Sequence, residues 1–148
     1  MKKQNGFTLL EVLIAMVVLS VGLLAMASLQ IMAWRSNLGA LLRSQATNLS
    51  YFIIDSMRVN QQAAINGNYN NTLTPLPTCN ASADNPLALT GTIAEQDVAA
   101  WRNMLACTLP QGTGSVTVNG NTVTITVQWN TSHDGSLTMA PFTMVTNL

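Results

Sequence analysis

Apolar residues follow two different patterns in the first half of the chain. No charged residue occurs from Val12 to Trp34. About 23 helical residues extend roughly 34 Å, which is enough to cross a bilayer core of about 30 Å. Further along, apolar residues recur at three- and four-residue spacing, as in an amphipathic helix: Leu38, Leu41, Leu42, Ala46, Leu49, Phe52, Ile53 and Met57. The two patterns together predict one long helix over residues 7–65, membrane-spanning over 7–34 and amphipathic over 35–65.

Turn-forming residues separate this helix from a second, shorter one. Asn66-Gly67 opens a stretch over 66–91 that is rich in Asn, Pro, Ser and Thr, and we expect an exposed loop there. Thr92 and Glu95 then fit a capping box, in which each side chain bonds the other residue's backbone N–H. The helix that follows would end before Pro110. Three of its apolar residues share one face: Val98, Trp101 and Leu105.

Strict alternation of apolar and polar residues marks the last third of the chain as sheet. Ser115–Val118 and Thr122–Trp129 alternate in this way, and Asn119-Gly120 between them is a hairpin signal. A further strand is expected to be broken at Pro141, which suits a sheet edge or a bulge. Its two parts are Leu137–Met139 and Phe142–Val145. We therefore predict an α+β fold with a small antiparallel sheet and a globular domain over 66–148.

Charge decides the orientation of the apolar segment. Lys2 and Lys3 precede it and are the only lysines. The positive-inside tendency then keeps the N-terminus in the cytoplasm and places the C-terminal domain across the membrane, in the periplasm. Arg35 and Arg43 on the far side oppose this more weakly. The 148-residue chain has a formal net charge of zero, so no electrostatic attraction to nucleic acid is expected.

The two cysteines, Cys79 and Cys107, both fall in the translocated part. In an oxidising compartment a disulfide between them is expected, and it would close a loop of about 29 residues that stabilises the fold by roughly 3–4 kcal/mol. The alternative is a pair of free buried thiols. One histidine and two distant cysteines predict no metal site.

The sequence contains no arrangement that indicates catalysis or a cofactor. Ser132-His133-Asp134 has the residue types of a catalytic triad, but consecutive residues in a polar turn cannot converge as nucleophile, base and orienting group. A phosphate-binding glycine loop and a close carboxylate pair are also lacking. We therefore expect a protein that is not an enzyme.

The N-terminus resembles that of type IV pilins and pseudopilins. The resemblance rests on GFTLLEVLIA at Gly6–Ala15, behind a short basic leader over residues 1–6. It implies the type IV pilin fold, cleavage by prepilin peptidase between Gly6 and Phe7, and N-methylation of Phe7. It also implies that Thr8 and Glu11 serve assembly of subunits into a filament whose core is formed by the apolar helices.

Physical chemistry supports a role for Glu11 in assembly. A carboxylate at mid-membrane costs about 2.5–3.5 kcal/mol on insertion scales, so such residues usually mark function. Cleavage after Gly6 would create a cationic amine one helical turn away, and the amine of a neighbouring subunit could pair with Glu11. The alternative is a carboxylate that extends to the lipid headgroups.

An ordinary secretory signal is a rival interpretation of the same segment. Ala25-Met26-Ala27 is a small-x-small cleavage site, and cleavage there would give a mature N-terminus at Ser28. Glu11 would then lie inside the apolar core of the signal, and the apolar run would continue past the cut.

A second resemblance suggests the subtype. Asp97–Gly112, with the sequence DVAAWRNMLACTLPQG, is similar to a segment of PilV-type minor pilins. This implies a minor pilin that primes pilus assembly with other minor pilins, the major pilin, a pilus-tip adhesin and the inner-membrane assembly platform, and so supports twitching motility and adhesion. It implies insertion in the inner membrane before assembly and a place in the pilus afterwards.

Two features distinguish the chain from an abundant shaft subunit. The apolar run contains Gly22 but not the helix-bending proline common in major pilins, and the cysteines do not bracket the C-terminal loop. Two alternatives stay open at this stage. One is a minor pseudopilin of a type II secretion system, and the other is a pilin whose domain binds DNA or a surface ligand.

Overall fold

Three helices precede three strands. The computed structural model describes residue 6 and residues 8–80, 91–132 and 139–148. The elements, in chain order, are α1 (Leu9–Val59), α2 (Gln61–Ile65), α3 (Ile93–Thr108), β1 (Thr113–Asn119), β2 (Thr122–Asn130) and β3 (Met139–Asn147). The long helix packs on a three-stranded antiparallel sheet, so the expected α+β architecture is confirmed. Phe7, the second part of the predicted loop and His133-Asp134 lie outside the described residues.

The chain divides into two units, one ending at Ala40 and one spanning Leu41–Leu148. In the first unit the apolar side chains of α1 are exposed, for example Leu19 at 64% and Met32 at 70%. All five buried residues of α1 belong to the second unit: Ala46, Ser50, Ile53, Ile54 and Met57. The apolar and the amphipathic sequence patterns therefore correspond to different packing.

The long helix ends earlier than its pattern predicts. It stops at Val59 rather than near residue 65, because Asn60 leaves helical geometry with φ −115° and ψ 50°. Asn is a poor residue for a helix interior since its side chain competes for hydrogen bonds, and the Asn60 amide donates to the hydroxyl of Tyr69. The short α2 follows. It ends in a Schellman motif, in which Gly67 has φ +80° and its N–H donates to the carbonyl of Ala64.

Helix α3 joins the long helix to the sheet. Its capping box at Thr92 and Glu95 is formed as predicted. Trp101 is fully buried, and its indole N–H donates to the carbonyl of Leu49 in α1 at 2.9 Å. On its other side, a Cβ on Gly114 would overlap the rings of Trp101. The absence of a side chain at this position of β1 thus allows the tryptophan to lie between helix and strand.

The sheet has the order β1-β2-β3 in one continuous antiparallel register. Its hairpin turn is Gly120-Asn121, not Asn119-Gly120, because Asn119 is still paired with Thr122. A glycine with φ +61° at the first central position is the pattern of a type II′ turn. The other correction concerns β3, which is not broken at Pro141. That residue lies within an edge strand opposite Gln128.

The segment from 66 to 80 is mostly exposed, as expected, but Tyr69 is an exception. Its side chain is fully buried, and its hydroxyl donates to the Asp97 carboxylate of α3 at 2.6 Å. Burial, and then the hydrogen bond to Asp97, raise the pKa of Tyr69 to about 12. A residue assigned to an exposed loop is thus one of the anchors of α3.

Candidate assembly site at the N-terminus

Thr8 caps the long helix. The backbone N–H of Glu11 donates to the Thr8 carbonyl at 3.1 Å and lies 3.3 Å from its hydroxyl oxygen. Thr8 therefore satisfies one of the N–H groups that lack a partner at a helix start. Thr8-Leu9-Leu10-Glu11 has the T-x-x-E spacing of a capping box, the same signal that located α3. The resemblance to pilins implies a role for Thr8 in assembly, and the T-x-x-E spacing is the sequence signal for this capping role.

The Glu11 carboxylate lies in apolar surroundings. Its neighbours Leu10 and Val12 are exposed at 69% and 46%. In the part of the chain that the structure describes, no hydrogen bond or ion pair reaches this carboxylate. A carboxylate without a partner is costly to remove from water. If the surrounding apolar surface is covered, Glu11 requires a cation or donor supplied from elsewhere.

A shallow concavity adjoins Glu11. It is lined by Glu11 and the apolar side chains of the next two turns: Val12, Ala15, Met16 and Leu19. The carboxylate and apolar side chains therefore line the same depression, where a cationic group with an apolar neighbour could contact both.

The predicted cleavage site is only partly described. Gly6 is exposed, and a Cβ added to it would meet no other atom within 4 Å. Phe7, the residue expected to be methylated, lies outside the described residues. An exposed glycine is accessible to a protease.

The two predicted disulfide partners are joined, with Cα atoms of Cys79 and Cys107 4.7 Å apart. Asn103, one turn before Cys107, forms two hydrogen bonds with Asn80. Its side chain accepts from the Asn80 N–H at 2.8 Å and donates to the Asn80 carbonyl at 3.2 Å. The loop is therefore attached to α3 by a covalent bond and by a paired amide beside it.

Other classes of site find little support in the geometry. Among residues 6, 8–80, 91–132 and 139–148, no cluster of three or more metal-ligating side chains occurs. Helix α1 is the one helix of this part of the chain that is long and apolar enough to cross a membrane. The apolar half of that helix, with its single carboxylate, is thus the candidate site.

Residues 1–27 match the family model described as the prokaryotic N-terminal methylation motif. The motif supports a type IV pilin-like protein. It implies processing by prepilin peptidase and contact with pilus assembly machinery, and it suggests a structural protein rather than an enzyme. With the apolar helix, it indicates membrane anchoring and a role in a pilus. No curated protein and no solved structure matches the chain.

Proposed function

We propose that the protein is a minor type IV pilin of the PilV type, which helps to prime pilus assembly. In this proposal prepilin peptidase cuts between Gly6 and Phe7, Phe7 is N-methylated, and the subunit enters the filament through the apolar half of α1. It acts with other minor pilins, the major pilin, a tip adhesin and the inner-membrane platform. Its activity supports twitching motility and adhesion.

One observation carries the proposal. The apolar half of α1 exposes its side chains, yet it carries a carboxylate at Glu11 to which the described residues supply no hydrogen bond or ion pair. A lipid bilayer would cover the apolar side chains, whereas neighbouring subunits could supply both cover and a counter-charge for the carboxylate. The methylation motif over residues 1–27 is consistent with an N-terminal amine as that counter-charge.

The subtype rests on the α3 segment. Asp97–Gly112, which resembles the PilV-type segment, includes most of α3. Three of its residues hold the domain together: Asp97 bonds Tyr69, Trp101 bonds Leu49, and Cys107 forms the disulfide. These contacts constrain which residues can occupy the segment. A sequence similarity in this segment therefore supports the PilV-type assignment.

The first test is the mature N-terminus of the native protein, determined by mass spectrometry. We expect N-methylated Phe7. A mature N-terminus at Ser28 would instead indicate secretion by an ordinary signal, and a retained leader would exclude pilin processing.

The second test replaces Glu11 by Ala and measures incorporation into filaments. Loss of one partner of a buried ion pair costs about 3–5 kcal/mol, so incorporation should fall by at least about tenfold while membrane insertion is kept. Asp55→Ala is the matched control, because Asp55 is an exposed carboxylate on the same helix and pairs with Arg58 at 3.2 Å. Equal incorporation of both variants would argue against pairing at Glu11.

A pseudopilin of a type II secretion system shares the N-terminal motif and needs a separate test. Deletion of the gene, followed by counts of surface filaments and assay of secreted proteins, distinguishes the two. Loss of most filaments with normal secretion is the outcome expected for a priming pilin.

A further inference from the structure

Asparagine is followed by glycine at Asn5, Asn66 and Asn119. In such a pair the backbone nitrogen of the glycine can attack the side-chain amide carbon of the asparagine, because glycine has no Cβ to hinder the approach. Asn5 lies outside the described residues. Asn66 and Asn119 are both exposed. The structure therefore shows the same reactive pair in two different settings.

The setting of Asn66, at the end of α2, holds both reacting groups in hydrogen bonds. The N–H of Gly67, whose nitrogen would be the nucleophile, donates to the Ala64 carbonyl at 2.9 Å. The side-chain oxygen of Asn66 accepts from the Gln62 amide at 3.3 Å. Attack at Asn66 would therefore require the hydrogen bonds that end α2 to break first.

The setting of Asn119, at the β1–β2 hairpin, leaves both reacting groups accessible. Asn119 is the last paired residue of β1, opposite Thr122, and Gly120 has the first turn position with φ +61°. Within the described residues, no hydrogen bond is formed by the Gly120 N–H or by the Asn119 side chain. A Cβ added to Gly120 would meet no atom within 4 Å, so the surroundings of this residue are open.

The remaining barrier at Asn119 is a small local opening. An extended residue does not hold its side-chain carbon against the following nitrogen, so the backbone of Asn119 has to rotate before attack. The closing pair between Asn119 and Thr122 has to open for this rotation. Pairs at the end of an element open at a lower free energy than those in its interior. The hairpin therefore opposes the reaction less than the end of α2 does.

We propose that Asn119 is a site of spontaneous modification, in which the Gly120 nitrogen displaces the side-chain amide group. A bond forms between this nitrogen and the amide carbon, which closes a succinimide ring. The bond from that carbon to the amide nitrogen breaks, and ammonia leaves with the proton of the Gly120 N–H. Water then opens the ring at either carbonyl and gives an aspartate or an isoaspartate residue. One water is consumed, one ammonia is released, and nothing is oxidised or reduced.

The products change the charge and the geometry of the hairpin. No Asp, Glu, Lys or Arg occurs in β1, β2 or β3. Either product adds one carboxylate, so the formal net charge of the chain falls from zero to one negative charge. Isoaspartate also adds a carbon to the main chain beside the turn, where the Asn121 carbonyl accepts from the N–H of Leu148 at 2.9 Å. Older copies of the chain would therefore differ from new ones at this end of the sheet.

The first test follows the reaction in the purified full chain, folded in detergent, in water labelled with heavy oxygen. Fragment mass spectrometry locates the label at each asparagine over time. We expect Asn119 to take up label at least about tenfold faster than Asn66, because attack at Asn66 has to break two further hydrogen bonds. In denaturant the two sites should react at similar rates, since those hydrogen bonds are then lost.

The second test compares two matched variants of the full chain. Glutamine keeps the amide but has one more methylene, so the ring that must close is larger and forms more slowly. Isoelectric focusing of incubated Asn119→Gln should show no added negative charge, whereas Asn66→Gln should gain it at the wild-type rate. Both positions are exposed, and thermal unfolding of each variant establishes that it folds.

Three results would overturn the proposal. The first is equal uptake of label at Asn66 and Asn119 in the folded chain. The second is an unlabelled Asn119 after a period in which the denatured chain is converted. The third is a charge change that persists in Asn119→Gln and disappears in Asn66→Gln. None of these results bears on the proposed pilin function, because the reaction requires only the hairpin and water.

Discussion

The two halves of α1 have the same backbone geometry and differ in what covers them. Between Leu9 and Ala40 the apolar side chains are exposed, whereas between Leu41 and Val59 a stripe is buried against α3 and the sheet. The second half also carries three charged residues, Arg43, Asp55 and Arg58, on the face away from the core. A helix with polar residues on one side supplies its own contact with water. The first half has no charged residue from Val12 to Trp34, and the described residues do not cover its apolar side chains.

The largest expected effect contrasts two tryptophans, one in each region. Trp101→Ala removes a fully buried ring and its bond to Leu49, and should lower the free energy of unfolding by about 3–5 kcal/mol. Trp34 is 74% exposed, so Trp34→Ala should change it by no more than about 0.5 kcal/mol. Denaturant unfolding of the full chain in detergent measures both. Similar losses would mean that the first half takes part in the folded core.

The disulfide should have the next largest effect, confined to the compact unit. Replacing both Cys79 and Cys107 by Ser opens a loop of sequence separation 28, and should lower the free energy of unfolding by about 3 kcal/mol. Membrane insertion should be unchanged, since neither cysteine belongs to α1. Denaturant unfolding of the double variant measures the loss of free energy, and membrane fractionation of the same variant measures its insertion. A variant that leaves the membrane would show that the two regions depend on each other.

The smallest effect concerns pH and the buried Tyr69. Its pKa is raised to about 12, above the ordinary value of about 10, so the protonated hydroxyl is favoured in the folded state. Its contribution to stability is complete below pH 10 and is lost as the pH rises toward 12. Tyr69→Phe should lower the free energy of unfolding by about 1–2 kcal/mol at neutral pH and should flatten the alkaline decline.

Melting curves of wild type and Tyr69→Phe between pH 8 and about 12 measure this difference. If the melting temperatures of the two proteins fall by the same amount as the pH rises, ionisation of Tyr69 is not coupled to unfolding. Tyr69 belongs to the compact unit, so the difference between wild type and Tyr69→Phe reports on that unit.

Local signals were sufficient to predict much of this fold. The capping box at Thr92, the stop at Gly67 and the alternation along β2 each depend on residues close in sequence. The prediction failed where two local preferences compete. Asn60 interrupts a helix whose apolar spacing continues, and Gly120 takes the first turn position that the Asn-Gly signal assigns to Asn119.

Distant contacts could not be predicted. Asn71 closes an edge 45 residues away, and Tyr69 bonds Asp97 across 28 residues. Both lie in a segment whose composition is that of a loop, and nothing in the nearby sequence distinguishes them from exposed neighbours. At the N-terminus the sequence indicated more than the structure of one chain contains. The resemblance pointed to Gly6, Phe7, Thr8 and Glu11, but only the capping of α1 by Thr8 is a property of the single chain.

The paired amide between Asn103 and Asn80 has a consequence for how the domain matures. Its two hydrogen bonds do not involve sulfur, so residues 79–80 can dock on α3 while both thiols are still reduced. Docking would bring Cys79 next to Cys107 before any oxidant arrives. An arrangement held by these two hydrogen bonds would need only a two-electron acceptor to form the disulfide.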